Sequence, residues 1–219
     1  MMLLSLNLLY FAISLMLSTK TDSSSGFLSP GQNSLFMLGA TGTVPIDRYG
    51  RIWSLVTANY LHGGILHLVF NMMALRQLAP QVTGEYGSSR MFIIYTLGGI
   101  LGYVVSYLAG IPFTIGASAA LCSLLGSLFY FGKKKGGVYG SSIYREVSGW
   151  ILSLFIFGLL FPGINNWAHG SGILGGIVLG MLLGYNEQRA ENVLHHILAF
   201  LCGVMTIGAL GWALFGARI

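Results

Sequence analysis

Along this chain, long apolar stretches alternate with short segments that are polar or rich in glycine. The apolar runs lie near residues 2–18, 61–79, 91–109, 112–132, 148–162, 166–185 and 193–215. Each approaches the ~20 residues that a helix needs to cross a bilayer, the fifth being the shortest. The runs are continuous rather than alternating, which excludes a β-barrel. Backbone groups in lipid must be satisfied within the segment, so the runs are helices. The pattern predicts an all-α, polytopic membrane helix bundle of seven spans, packed as a single domain over residues 1–219. The first run has neither a basic leader nor a small-x-small cleavage site, and is expected to remain as a helix.

Composition agrees with the pattern. Charged residues make up 8% of the 219 residues and hydrophobic residues 54%, with a mean hydropathy of +0.74. Soluble domains carry about 25% charge, so a soluble globule and a disordered chain are both excluded. The net charge of +5 is too sparse for a nucleic-acid surface and suits loops lying on anionic lipid. Cys122 and Cys202 both sit in apolar runs, and no Cys/His zinc spacing occurs.

The loop charges orient the bundle. Seven spans place Arg76, Arg90, Lys133, Lys134, Lys135, Arg145 and Arg189 on one side, and Lys20, Arg48, Arg51 and Arg218 on the other. The richer set is expected in the cytoplasm, with the N-terminus inside, the C-terminus outside and the cell membrane as location. Residues 132–149, with the three lysines, then form a cytoplasmic loop. Residues 19–60 form a long external connection whose Leu35–Leu38 stretch is apolar enough to lie in the membrane interface.

Small residues recur at helical spacing: Gly98, Gly102, Ser106 and Gly110; Gly116 and Ala120, followed out of step by Ser123 and Gly126; and Gly172, Gly176, Gly180 and Gly184. Such ladders let helix backbones approach closely, so spans three, four and six are expected at the centre. Taken alone, they are a packing signal.

Polar groups within spans are costly and are functional candidates by default. His195 and His196 belong to the interfacial start of the last span. His67 and Asn71 are four apart and share a helix face; His62 precedes them. Ser118 and His169 lie near the starts of the fourth and sixth spans. Spans two, four and six run in the same direction, so His67, Ser118 and His169 are expected within roughly 5–10 Å of the outer end. Singly, the serine reads as packing, the histidines as structural partners and the asparagine as interhelical glue. Together they can form a nucleophile–base pair, with His67 and Asn71 as donors to a developing oxyanion.

The carboxylates narrow the chemistry. Asp22 and Asp47 fall in the external connection, and Glu85, Glu146, Glu187 and Glu191 in cytoplasmic loops. With none inside a span, a Ser-His-Asp triad and an aspartyl dyad are both disfavoured. Neither an H-E-x-x-H zinc motif nor a phosphate-binding G-x-x-x-x-G-K-[ST] loop occurs.

From about Leu35 to Tyr185 the chain resembles the rhomboid intramembrane serine proteases. Three motifs carry the resemblance: His62-x4-His67-x3-Asn71, Gly116-x-Ser118, and Ala168-His169-x-x-Gly172-x-x-x-Gly176. It implies a six-helix core over about residues 1–185 plus one C-terminal helix near 193–215. It implies Ser118 as nucleophile and His169 as general base, then acid. His67, Asn71 and the Ser118 N–H would hold the oxyanion. His62 would order the entrance to the second span, Gly172 would allow close helix packing, and Trp53 is similar to a tryptophan of the family's external loop. Substrates would be other membrane proteins, cut near the outer end of a transmembrane helix that arrives past the fifth span and the 161–166 loop. No cofactor, metal or nucleic-acid partner is implied. The chain departs from the family pattern at Ala119, where glycine is usual, at Cys122, where an aromatic often stacks on the histidine, and at Ser54, where arginine is common. The alternative is an inactive rhomboid-like protein that binds membrane clients, although such a binder need not keep both Ser118 and His169. The lack of buried charge weighs against a small transporter.

Overall fold

The computed structural model describes residues 2–18 and 28–216. Lys20 and Arg218, two of the charges that oriented the spans, and the carboxylate Asp22 lie outside the described residues. The helices are α1 (Met2–Leu17), the short α2 (Gln32–Met37) and α3 (Ser54–Thr57), then α4 (Ile65–Tyr86), α5 (Ser88–Leu108), α6 (Ser118–Lys135), α7 (Gly137–Leu160), α8 (Asn166–Leu183) and α9 (Val193–Phe215). The seven long ones answer the seven apolar runs. The one β pairing among the described residues is an isolated antiparallel bridge between Thr41 and Thr114.

Four helices, α5, α7, α8 and α9, are long and apolar enough to cross a membrane, while α1 is apolar but has 16 residues. α6 is set apart from these four by Lys133, Lys134 and Lys135 in its last turn. The rest of the helix is apolar and buried along most of its length, from Ala119 to Gly132, so its surroundings are protein rather than lipid. It packs most closely on α8, then on α5 and α7.

Small residues make that packing possible. A Cβ on Gly176 would stand 1.9 Å from the Ser123 carbonyl oxygen; on Gly126, 2.0 Å from that of Ile173; on Gly172, 2.4 Å from that of Ala119. The backbones of α6 and α8 thus touch directly over more than one turn. Gly110 and Gly184, the ends of two predicted ladders, do not pack this way. A Cβ on Gly110 would meet nothing within 4 Å and one on Gly184 only the Arg189 Cβ at 3.8 Å, and both mark helix ends.

Other boundaries also differ from expectation. The second span begins at Ile65 and runs past Pro80 to Tyr86. Proline there sacrifices only the bond to the Arg76 carbonyl, on an exposed residue. The predicted loop at 132–149 is mostly helix: α6 continues through the lysines, and α7 starts after Gly136. A Cβ on Gly132 would sit 2.8 Å from the Gly140 oxygen, so α6 and α7 leave their turn in backbone contact. Glu85 and Glu146 therefore belong to helices, at the end of the bundle opposite Ser118.

Arg90 is fully buried in the first turn of α5 rather than placed in a loop. Its guanidinium donates to the carbonyls of Gly184 (2.5 Å) and Arg189 (2.7 Å), and its backbone N–H donates to the Glu191 carboxylate (2.9 Å). A cation here meets the negative end of α8 and fastens the linker that leads to α9. At the other end, Leu35 and Leu38 are core residues, 4% and 1% exposed, and do not lie in an interface. The segment from 28 to 64 folds over the Ser118 end of the bundle. The Tyr10 hydroxyl donates to the Leu38 carbonyl (3.1 Å), Ser54 donates to Thr41 (2.9 Å), and Arg51 stacks on Phe36 (4.2 Å to the ring centroid).

Gly176→Ala is expected to lower stability by about 1–3 kcal/mol through overpacking. Gly208→Ala, facing open space on α9, is expected to leave it unchanged or raised. Thermal unfolding in detergent separates the two; equal midpoints would refute the backbone contact.

Candidate active site

The loop between α5 and α6 decides where the site lies. Residues 111–117 are not helical, so Ser118 is the first residue of α6 rather than about six residues into it. The loop is held on both sides. Thr41 and Thr114 exchange backbone bonds of 3.1 and 2.7 Å, the Gly116 N–H donates to the Ala58 carbonyl (2.9 Å), and the Tyr103 hydroxyl donates to the Gly116 carbonyl (2.5 Å). Gly116 has φ +127°, in the left-handed region that favours glycine, and a Cβ there would lie 2.8 Å from His67 Nε2. Glycine is therefore required twice, by conformation and by space.

His67 is the third residue of α4 and His169 the fourth of α8. The three candidate groups share one level, as expected, but at the mouths of their helices and not deeper within them. Starting α6 at Ser118 has an electrostatic result. The first backbone N–H groups of a helix lack intrahelical partners and carry its positive end, so unpaired donors gather beside the Ser118 oxygen.

The Ser118 Oγ and His169 Nε2 are 2.7 Å apart, within hydrogen-bond distance. The other ring nitrogen of His169, Nδ1, is buried and has no hydrogen-bond partner. Among the described residues, therefore, no carboxylate orients this imidazole. His67 Nδ1 accepts from the Gly63 N–H at 3.4 Å, which leaves the proton of a neutral ring on Nε2, the atom facing Gly116. Asn71 donates one N–H to the His67 carbonyl (2.8 Å) and lines the same cavity as Ser118. His62 is fully buried, with its ring edge-on to His67 at 5.1 Å between centroids. It supports the His67 ring from behind.

These groups open into a cavity of about 470 Å³. Its polar rim carries His67, Asn71, Ser118 and His169. Its floor is apolar: Ala74, Leu78, Leu121, Leu125, Trp150 and Leu154, drawn from α4, α6 and α7. Cys122 lines the wall one turn below Ser118. The methyl of Ala119 does not line the cavity; a Cβ on Gly102 would meet it at 3.0 Å, so it fills the α5 contact. Among the described residues no group of three His, Cys, Asp or Glu is arranged to hold a metal ion.

The Rhomboid domain family matches residues 49–186, more than half of the chain and the whole of this site. The chain belongs to the rhomboid family. It is 29% identical over 207 residues to the mitochondrial RHOMBOID-like protein 6 of Arabidopsis thaliana, covering 84% of this chain and 66% of that one. It is 33% identical over 141 residues to the Rhomboid protease GluP of Bacillus subtilis, covering 64% and 28%. To the Putative rhomboid protease YdcA of the same organism it is 31% identical over 147 residues, covering 64% and 71%. The chain thus spans two thirds or less of the length of the first two relatives. Membership of this membrane family, with several helices able to span, makes the protein a multi-pass integral membrane protein.

Two residues of this rhomboid's site escaped sequence reasoning. Tyr103 looked like one more aromatic in a glycine-rich run, yet it is buried and holds the Gly116 carbonyl. Asn165 is the N-cap of α8; its Oδ1 accepts from the Ala168 N–H at 3.1 Å. An asparagine immediately before an apolar run was the available clue. Tyr103→Phe leaves a buried carbonyl unpaired and is expected to cost about 1–3 kcal/mol. Denaturant titration of the detergent-solubilised protein measures this, and an unchanged midpoint would contradict the assigned bond.

Proposed function

We propose that this rhomboid is an intramembrane serine endopeptidase working with a Ser118–His169 dyad. The observation that carries the reading is the 2.7 Å contact between Ser118 Oγ and His169 Nε2 at the mouth of a half-apolar cavity. His169 takes the Ser118 proton as Oγ attacks a substrate carbonyl carbon, then returns it to the leaving amine. The oxyanion forms beside the His67 Nε2–H, the free Asn71 N–H and the unpaired amides at the start of α6. Water then repeats the cycle on the acyl-enzyme. A helical peptide bond is already hydrogen-bonded within its helix, so the substrate must unwind locally before its carbonyl can be attacked. Substrates are accordingly transmembrane segments with small or helix-breaking residues near the cut. The apolar floor of the cavity suits a hydrophobic side chain next to it.

The same reading assigns the topology. The lysine end of α6 lies in the cytoplasm and the Ser118 end faces outward, so α1 begins inside and α9 ends outside the cell membrane. Cleavage occurs near the outer face. A C-terminal alkaline phosphatase fusion is expected to be active and a C-terminal green fluorescent protein fusion dark; the reverse pair would overturn the orientation.

The chemical test uses a serine-reactive fluorophosphonate probe on the detergent-solubilised protein. Wild type is expected to label, and Ser118→Ala and His169→Ala to remain unlabelled. Asn71→Ala is expected to react about 10- to 1000-fold more slowly. Folded wild type that never labels would replace the protease reading with that of a client-binding, inactive rhomboid.

A further inference from the structure

Asn165 stands between the two halves of the dyad. Its Nδ2 donates to Ser106 Oγ on α5 (2.6 Å) and to Thr114 Oγ1 in the loop that delivers Ser118 (3.0 Å). Its Oδ1 caps α8 through the Ala168 N–H, and its carbonyl accepts from the His169 N–H (3.1 Å). Both hydroxyl partners are buried, Ser106 at 0% and Thr114 at 8% exposure. One side chain thus holds α5, the Ser118 loop and the first turn of α8 in register.

The dyad needs such a tie because, among the described residues, no side chain other than Ser118 is hydrogen-bonded to the imidazole. His169 Nδ1 has no partner, so the ring is placed by its backbone and by its contact with Ser118. The close α6–α8 contact fixes the helix axes from Gly172 onward. His169 lies before that contact, in the turn where a helix frays most readily. Without Asn165, both the loop before Ser118 and the turn that carries His169 lose their shared anchor.

We infer that Asn165 is a positioning residue for the dyad, setting the Ser118–His169 distance by bonding the nucleophile's loop to the base's helix. The inference rests on the protease reading. A displacement of about 1 Å between reacting groups can cost about 100-fold in rate, so loss of the tie is expected in the chemical step rather than in probe binding.

The test compares fluorophosphonate labelling of wild type, Asn165→Ala, Thr114→Val, Ser106→Ala and the Asn165→Ala/Thr114→Val double variant, each with its thermal midpoint. Asn165→Ala is expected to lower the maximal labelling rate about 10- to 100-fold, with the half-saturating probe concentration within about twofold of wild type. Thr114→Val leaves the α8 cap intact and is expected to lower the maximal rate severalfold, with a smaller drop in thermal midpoint than Asn165→Ala. The double variant is expected to label no more slowly than Asn165→Ala, because both changes cut one tie. Wild-type rates in Asn165→Ala and Thr114→Val, a loss confined to probe affinity, or additive losses in the double variant would each overturn the inference while leaving the protease reading intact. A wild type that does not label sinks both. If Asn165→Ala does not fold, Thr114→Val and Ser106→Ala decide the matter through the same split between rate and affinity.

Discussion

The direct contact of the α6 and α8 backbones is the constraint on which the rest of the molecule depends. Gly126, Gly172 and Gly176 place main chain against main chain, with no room for a single carbon between them. Dispersion at this distance is summed over many atoms, and it operates equally well in lipid, where no hydrophobic effect draws helices together. The contact sets the spacing of two helix mouths, and therefore of the two side chains that they carry. Ser118 and His169 meet because glycines several residues away leave nothing to keep them apart.

A second layer of order comes from hydrogen bonds at the two ends of the bundle. At the Ser118 end the 28–64 segment, the Thr41–Thr114 bridge and Asn165 hold an irregular loop whose backbone groups would otherwise be orphaned in a nonpolar setting. At the opposite end buried Arg90 gathers the carbonyls that follow α8. Irregular backbone is tolerated at both ends because protein groups satisfy it. α7 lacks a comparable framework. Its buried residues are Gly140 and Val147, both in the half nearer the lysines, so its upper half forms a wall of the cavity without being built into the core.

Hydropathy revealed the seven helices because lipid and the protein interior both select apolar side chains. It misplaced their ends because the ends are decided by other forces. Ser118 seemed to be inside a span since Ile111 to Ile115 are apolar, yet Gly116 and its bonds to Ala58 and Tyr103 turn that stretch into a loop. The start of α7 was hidden because Ser141, Ser142, Arg145 and Glu146 look like a loop, while a helix beyond the apolar zone needs no apolar residues. Ser118, His67, Asn71 and His169 were legible because a costly polar group in an apolar run stands out. Asn165 and Tyr103 were not, since their value lies in partners distant in sequence.

The polar groups at the site can all be uncharged. Ser118, Asn71, His67 and His169 need carry no formal charge, and no acid is bonded to His169 Nδ1. This matters for how the protein reaches its membrane. A buried triad would require one helix to bring a carboxylate into the bilayer before its partners had arrived. Here α4, α6 and α8 can each insert with no ion among their site residues, and Ser118 and His169 can be brought together afterwards by side-to-side association of finished helices.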